Sequence, residues 1–260
     1  MIMQTPRTVS RALVAALLLT LWAAATQAGE SVRIVAASDL RFAMDIIIEE
    51  YEATHPDDAI EVIYGSSGRF HAQIVNGAPF DLYFSADVAY PLDLVERGLV
   101  HGDMVPYALG RLVLWSNTVD ASELTLKDLS RSEFRRIAIA NPRHAPYGVR
   151  AQEALRSVGL WDELEPRLVL GENIAHTMQL VQSGAAEIGI IALALARNPA
   201  IREQGGYHLI DAERHQPLEQ GYIITRRAAD NAAAQRFADH MGREQSRAVM
   251  REYGFVLPGE

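Results

Sequence analysis

The sequence predicts an α/β fold in which short, largely parallel strands alternate with amphipathic helices. Short apolar runs have the length of buried strands, and apolar residues with helical spacing follow several of them. Strands that alternate with helical segments are typical of βαβ units and parallel sheets. The chain has 260 residues, 49% of them hydrophobic and 22% charged, so its length allows one large domain or two lobes.

The first part of the chain contains three predicted strands: SVRIVAAS at 31–38, AIEVIYG at 59–65 and FDLYFSAD at 80–87. Apolar residues with helical spacing follow the first strand between Leu40 and Tyr51. A second helical pattern carries Phe70 and Ile74 and ends at Gly77. This order predicts two βα units and a third strand in one sheet.

The second part of the chain repeats this alternation. Its predicted strands are GRLVLWS at 110–116, RRIAIANP at 135–142, PRLVLG at 166–171 and AEIGIIAL at 186–193, with helical patterns at 149–158 and 174–183. A late strand, GYIITRR at 221–227, precedes a terminal amphipathic helix and lacks a partner unless the chain returns to the first part. This predicts two lobes, 29–111 with 221–260 and 112–220, joined by two crossings. A single doubly wound sheet is the alternative, and periodicity does not decide between them.

The first 28 residues have the pattern of a secretory signal peptide. Arg7 and Arg11 precede an apolar run at 12–25, and small residues follow before Gly29. The run is shorter than the ~20 residues of a membrane-spanning helix. A retained N-terminal anchor is the alternative. We therefore expect an exported chain that begins near Gly29.

Composition excludes several classes of chemistry. The sequence has no cysteine, which removes disulfides, thiolate nucleophiles and Cys-ligated zinc. Lys127 is the only lysine, and it lies in a predicted polar loop, so no lysine is well placed for a Schiff base or a Walker phosphate-binding loop. Without Arg7 and Arg11 the mature chain has 22 basic and 33 acidic residues, a net charge of −11. So acidic a surface argues against binding to nucleic acid or anionic membranes.

The turn Gly65-Ser66-Ser67-Gly68 lies between a predicted strand and a predicted helix. It is not a nucleophile elbow, because Arg69 stands where the second glycine of Gly-x-Ser-x-Gly belongs. It is not a Walker loop, because no lysine follows. What remains is a helix start with Ser67 as the predicted N-cap, whose hydroxyl and free N–H groups face the same space. A simple helix cap is the alternative.

Three further strand-to-helix junctions carry similar residues: Ser38 with Asp39, Pro146 to Gly148, and Glu172 to Ile174. Two of the four junctions lie in each predicted lobe. If they meet at one cleft, they supply free N–H donors, two serine hydroxyls and positive helix ends. Neutral donors of this kind bind a small dianion without a counter-charge, so the acidic net charge is no objection.

At these residues the sequence resembles the periplasmic molybdate-binding proteins of ABC transporters. The segments that carry the resemblance are AASDLRFAMDIIIEEYE, SSGRFHAQIVNGAPFDLYFSAD, ANPRHAPYG, GEN and YGFVLP, and they span nearly all of the mature chain. The resemblance implies a type II periplasmic binding protein fold with a ligand cleft between two lobes. It also implies a monomeric periplasmic protein, without catalysis or cofactor, that captures molybdate or tungstate for an inner-membrane ABC permease.

The resemblance also implies the site residues. Serine hydroxyls are expected from Ser38 and Ser67, and backbone donors from Tyr147 and Ile174, so molybdenum is bound only as its oxyanion. Members of the family often have a tyrosine where this chain has Ala192, and we expect the Tyr147 hydroxyl to replace it. Ala192 and Asp39 are additional candidate backbone donors, with the Asp39 carboxylate expected to turn away and cap its helix.

Two other functions stay open from the sequence. A receptor for sulfate or another tetrahedral oxyanion would use the same donors, since the sequence does not give the size of the cleft. A secreted serine hydrolase using Ser67 or Ser38 would need a nearby histidine, and His71 lies one helical turn beyond Ser67 and points along the helix. His71 and His176 are isolated in helical patterns, which favours solvated or capping roles over metal ligation.

Overall fold

The computed structural model describes residues 30–201 and 204–260, so the predicted signal peptide lies outside the described residues. One five-stranded sheet is built from β1 (Ser31–Ala37), β2 (Ala59–Gly65), β3 (Leu82–Ser85), β4 (Val100–Gly110) and β10 (Leu218–Thr225), in the order β2-β1-β3-β10-β4. Strand β1 pairs in parallel with β2 and β3, and β10 runs antiparallel to β3 and β4.

The second five-stranded sheet contains β5 (Leu112–Trp115), β6 (Ile137–Ala140), β7 (Leu168–Gly171), β8 (Ile188–Ala192) and β9 (Tyr207–Leu209), in the order β7-β6-β8-β5-β9. Strand β6 is parallel to β7 and β8, whereas β5 is antiparallel to β8 and β9. The inner strands β5, β6 and β8 are buried along their whole length, as their continuous apolar sequences predict.

Helices pack against both sheets. They are α1 (Arg41–Thr54), α2 (Ser67–Val75), α3 (Ala89–Glu96), α4 (Pro146–Ser157), α5 (Trp161–Leu164), α6 (Ile174–Gln182), α7 (Leu193–Ala196), α8 (Ala232–Met241) and α9 (Glu244–Glu252). Short 3-10 helices occupy Ser38–Leu40, Leu126–Ser130, Glu165–Arg167, Ala212–Arg214 and Arg226–Ala228. In the described part of the chain no helix is both long and apolar enough to cross a membrane.

The two sheets define two lobes. The first lobe contains residues 30–110 and 218–260, and the second contains the residues between. Each lobe has its own core, with Tyr51 and Phe237 fully buried in the first and Trp115 and Phe134 in the second. The predicted two-lobe α/β fold is confirmed, and the alternative of one doubly wound sheet is wrong.

The chain crosses between the lobes after Gly110 and again before Leu218. Strand β10 begins at Leu218, three residues ahead of the strand predicted from residue 221, because Leu218 to Gln220 already pair with the end of β4. The two crossings therefore lie side by side. In two-lobe proteins that close around a ligand, connecting segments of this kind act as the hinge.

Candidate functional site

A small cavity lies between the lobes, where four strand-to-helix junctions meet. The space in it that a water-sized sphere can reach is about 10 Å³, far below the roughly 300–1,000 Å³ of pockets for drug-sized ligands. The predicted residues Ser38, Asp39, Ser67, Tyr147 and Ile174 all line it. The structure therefore brings these five together, while their role in binding stays a prediction.

Ala192 does not belong to this group. It ends β8, pairs with Leu112 of β5 and is fully buried, and it is not among the residues that line the cavity. The structure does not bring this candidate backbone donor to the cavity, although Ala192 also lies where a strand leads into a helix.

Three helices begin at the cavity. Ser67 is the first residue of α2, Ile174 is the first of α6, and Tyr147 follows Pro146 in the first turn of α4. The first N–H groups of a helix have no acceptor within the helix, and they carry its positive end. Asn173 fixes the start of α6, because its side chain accepts a hydrogen bond from the His176 N–H at 2.9 Å.

Ser67 is not the N-cap that the sequence predicts. The N-cap is Ser66, one residue earlier, and Ser67 already has helical geometry. The buried Ser67 hydroxyl accepts a hydrogen bond from the Ala86 N–H at 3.0 Å. A hydroxyl that accepts from one neighbour still has its own proton to donate. The Ser67 hydroxyl is thus held by the residue that follows β3, and its proton is available to the cavity it lines.

The Ser38 hydroxyl is engaged across the cleft. It donates to Oδ1 of Asn173 at 3.0 Å and accepts from the Ala175 N–H at 3.1 Å, both at the start of α6 in the other lobe. Ser38 is 2% exposed. Its hydroxyl therefore links the lobes in this geometry and would have to release Asn173 before donating to a ligand.

The Asp39 carboxylate does not cap its helix, contrary to the sequence prediction. Its Oδ2 accepts hydrogen bonds from the Tyr147 hydroxyl at 2.9 Å and from Nε2 of Gln220 at 2.8 Å. Its Oδ1 has no hydrogen-bond partner within the described residues. Burial raises the pKa of Asp39 above the usual value of a carboxyl, although the hydrogen bonds from Gln220 and Tyr147 oppose the shift.

The same contact engages the Tyr147 hydroxyl, whose predicted hydrogen bond to a ligand stays a prediction. In this structure it donates to Asp39, and a buried carboxylate is costly unless donors replace its lost hydration. The Tyr147 ring is 2% exposed, and burial beside Asp39 raises the pKa of its phenol well above its usual value. Tyr147 therefore offers the cavity its backbone N–H.

A second set of contacts closes the rim of the cleft. The Ser66 hydroxyl donates to the His144 carbonyl and lies 3.0 Å from Nδ1 of the same residue, and the Gly68 N–H donates to that carbonyl at 3.0 Å. Arg69 and Glu172 form an ion pair across the lobes. Burial lowers the pKa of His144, which favours its neutral form.

The two histidines considered in the sequence lie elsewhere. Nε2 of His71 is 2.6 Å from Oδ2 of Asp93, and Nδ1 of His176 accepts from the Glu172 N–H at 3.1 Å at the start of α6. Within residues 30–201 and 204–260 no group of three or more His, Cys, Asp or Glu side chains could hold a metal ion. The capping role fits His176, while His71 forms a carboxylate pair.

The charge of the cavity is unusual for an anion site. Among the described residues that line it, none is basic, and Asp39 is the one ionisable group besides the Tyr147 phenol. The available groups are backbone N–H groups at helix starts and the Ser67 hydroxyl. Such neutral donors recognise a small oxyanion by hydrogen-bond geometry and cavity size rather than by charge pairing.

A two-lobe α/β fold whose closed cleft gathers helix starts around a small cavity defines a solute-binding protein. The chain belongs to the bacterial extracellular solute-binding proteins, whose family model matches residues 32–256. It is 35% identical over 251 residues to the molybdate-binding protein ModA of Azotobacter vinelandii, covering 94% of this chain and 97% of that protein. It is 32% identical over 257 residues to ModA of Rhodobacter capsulatus, covering 97% and 98%.

A solved structure of one of these relatives is also similar to this chain. The periplasmic molybdate-binding protein of Azotobacter vinelandii superposes on this chain with a TM-score of 0.83 at 33% identity, covering 87% of this chain and 99% of that one. This chain and that relative therefore share one overall fold.

Proposed function

We propose that this protein captures molybdate in the cleft between its lobes, in the periplasm, and delivers it to an inner-membrane ABC permease. The observation that carries the proposal is the convergence of Ser67, Tyr147 and Ile174, each in the first turn of a helix, on one small cavity without basic side chains. The relatives named as molybdate-binding proteins support the choice of anion.

The donors suit a tetrahedral dianion. The Ser67 hydroxyl approaches from the first lobe and the N–H groups of Tyr147 and Ile174 from the second, so the anion's oxygens are reached from both sides. A hydrogen bond to a charged group contributes about 1.5–3 kcal/mol. Because closing the lobes excludes water, these bonds replace the hydration of the anion. Tungstate has the same charge and nearly the same size, so we propose that it binds as well.

Sulfate is the main alternative within the same class of protein. It is smaller than molybdate, so a cavity fitted to molybdate leaves some donors out of reach of sulfate oxygens. Each hydrogen bond left unmade to a buried charge costs roughly 1.5–3 kcal/mol, and two losses separate the affinities by orders of magnitude. The protein therefore binds molybdate far more tightly than sulfate.

One observation favours a hydrolase as a second candidate, because Ser66 lies beside a histidine. The Ser66 hydroxyl is 3.0 Å from Nδ1 of His144 but also donates to the His144 carbonyl, and Nε2 of His144 has no partner within the described residues. A serine–histidine pair needs a third group that orients the imidazole. We propose binding without catalysis and without a cofactor, and expect no reaction with a fluorophosphonate probe.

Calorimetry on the purified protein tests the proposal. Titrations with molybdate, tungstate and sulfate should give tight binding of the first two and weak binding of sulfate, and elemental mass spectrometry should find molybdenum that co-purifies with the protein. Equal affinities for sulfate and molybdate would exclude the molybdate assignment. Light scattering during size exclusion tests the proposal that the protein is a monomer.

A further inference from the structure

Four polar side chains form a buried network directly beneath the cavity. The Tyr147 hydroxyl and Nε2 of Gln220 both donate to Oδ2 of Asp39, and Nε2 of Gln220 is also 3.2 Å from the Tyr147 oxygen. The Tyr107 hydroxyl donates to Oε1 of Gln220 at 2.7 Å, which fixes the orientation of that amide. Gln220 and Asp39 are 0% and 1% exposed.

The network connects the lobes beside the first crossing. Asp39, Tyr107 and Gln220 belong to the first lobe, and Tyr147 is the member from the second. Gly110, where the first crossing leaves β4, packs against the network so closely that a Cβ there would collide with the Tyr147 phenol and the Gln220 amide. Gln220 does not line the cavity, so its contacts act on the lobes and not on a ligand.

Burial gives this network a role in closure. When the lobes close, the Asp39 carboxylate is removed from water, which is costly unless donors replace the lost hydration. Gln220 and Tyr147 supply those donors. Tyr147 is the member of the network from the second lobe, so we expect opening of the lobes to move it away from Asp39 and to let water reach the carboxylate. The hydrogen bond between Tyr147 and Asp39 is then expected to belong to the closed form.

We propose that Asp39, Gln220 and Tyr147 form an interlobe latch that stabilises the closed form and slows release of the ligand. The Tyr147 phenol acts through Asp39 as a positioning group, while its backbone N–H faces the cavity. Gln220 holds the Asp39 carboxylate ready for the phenol, and Tyr107 holds Gln220. The choice of molybdate as the ligand in the test rests on the proposed function, and the latch itself rests on the contacts.

Release rates test the latch. Protein loaded with molybdate is chased with an excess of isotopically distinct molybdate, and the isotope retained on the protein is followed by elemental mass spectrometry. In Gln220→Met the Asp39 carboxylate loses one of its two donors, so release should be roughly 10-fold faster. Association should change less than about 2-fold, because the ligand enters the open form before the latch closes.

Two further variants make the test specific. Tyr107→Phe removes only the hydrogen bond that orients Gln220, and it should make release faster by a smaller factor than Gln220→Met does. If Gln220→Met does not fold, the release rate of Tyr107→Phe tests the latch by itself. Tyr222→Phe is the matched control, because its hydroxyl donates to the Ala238 carbonyl within the first lobe at 3.2 Å. A role in fold stability alone would lower the melting temperature of these variants without altering the release rate.

The outcomes separate the latch from the proposed function. A release rate equal to that of the wild type in both Gln220→Met and Tyr107→Phe overturns the latch. Faster release in Tyr147→Phe alone also overturns it, because it would mean that the phenol contacts the ligand directly. If the wild-type protein binds no molybdate, the proposed function fails and small-angle scattering decides the latch. The latch then predicts a larger radius of gyration for Gln220→Met than for Tyr222→Phe, and equal radii contradict it.

Discussion

Ser67 is the one side-chain hydroxyl of the predicted site whose proton has no competing acceptor in the structure. Its oxygen accepts from the Ala86 N–H at 3.0 Å, and its carbonyl accepts from the Tyr83 hydroxyl at 2.8 Å, so β3 holds the residue from two sides. Replacing Ser67 with alanine removes the hydroxyl and leaves the backbone donors of α2 in place.

The expected loss follows from these contacts. A hydrogen bond from a hydroxyl to a charged oxyanion contributes about 1.5–3 kcal/mol. Since 1.4 kcal/mol is a tenfold change, Kd for molybdate should rise roughly 10-fold to 150-fold in Ser67→Ala. The Ala86 N–H also loses its acceptor in a buried position, which should lower the free energy of unfolding by about 1–3 kcal/mol.

Isothermal titration with molybdate measures the first effect, and thermal unfolding without ligand measures the second. Ser246→Ala is the matched control, because Ser246 is fully buried in the first lobe and donates to the His240 carbonyl at 2.8 Å, away from the cavity. The control should lose stability without losing affinity. Wild-type affinity in Ser67→Ala, or an equal loss of affinity in Ser246→Ala, would refute the role of the Ser67 hydroxyl.

Three further predictions follow from other contacts. Ser38→Ala should weaken molybdate binding by about 1 kcal/mol in the same titration, which is less than the effect of Ser67→Ala. The reason is that it removes a neutral hydrogen bond between the lobes, from the Ser38 hydroxyl to Asn173. A larger loss of affinity than in Ser67→Ala would contradict this. Burial raises the pKa of Asp39 above the usual value of a carboxyl, and opening the lobes is expected to relieve that burial, so the closed form should hold a proton on Asp39 more readily than the open form. Affinity should then fall as pH rises through the raised pKa, and Asp39→Asn should flatten the profile. An unchanged slope in Asp39→Asn would contradict this. The hydrogen bond from Arg236 lowers the pKa of Asp58, so this pair adds stability above about pH 3.9 that is lost as pH falls through the lowered pKa. The unfolding free energies of Asp58→Asn and the wild type should therefore converge in acid. A difference that stays constant with pH would contradict this.

The alternation of strands and helices was predictable because each element has a local period. The number of sheets was not, because it depends on which strands pair over long distances. β5 pairs with β8 and β9, and β10 returns to β3 and β4 after more than a hundred residues in the other lobe. The resemblance to a family supplied that information, and periodicity did not.

The site, too, was predicted from the sequence in part. Ser38, Ser67, Tyr147 and Ile174 were placed together because strand-to-helix junctions and the family motifs are both local signals. The latch was missed, because the Asp39 carboxylate meets an amide 181 residues further along the chain. A glutamine in a predicted strand indicates a buried hydrogen-bond network only when its hydrogen-bond partner is known.

The N-cap of α2 was misplaced by one residue for a related reason. Ser66 and Ser67 are equally good capping residues in sequence, and the hydrogen bond from the Ala86 N–H, just after β3, to the Ser67 hydroxyl accompanies the choice of Ser66. Because the Ser67 hydroxyl only accepts in this contact, its proton stays available. A tertiary contact that local sequence does not reveal therefore fixes the position of the Ser67 hydroxyl.

One molybdate is expected to occupy the cavity between the lobes, held by neutral donors. A crystal structure of the molybdate-loaded protein, with diffraction data collected on both sides of the molybdenum absorption edge, would locate it. We expect one strong anomalous peak among Ser67, Tyr147 and Ile174, with the Tyr147 hydroxyl still bonded to Asp39. A peak elsewhere, or an empty cavity in protein that calorimetry shows to be saturated, would contradict it.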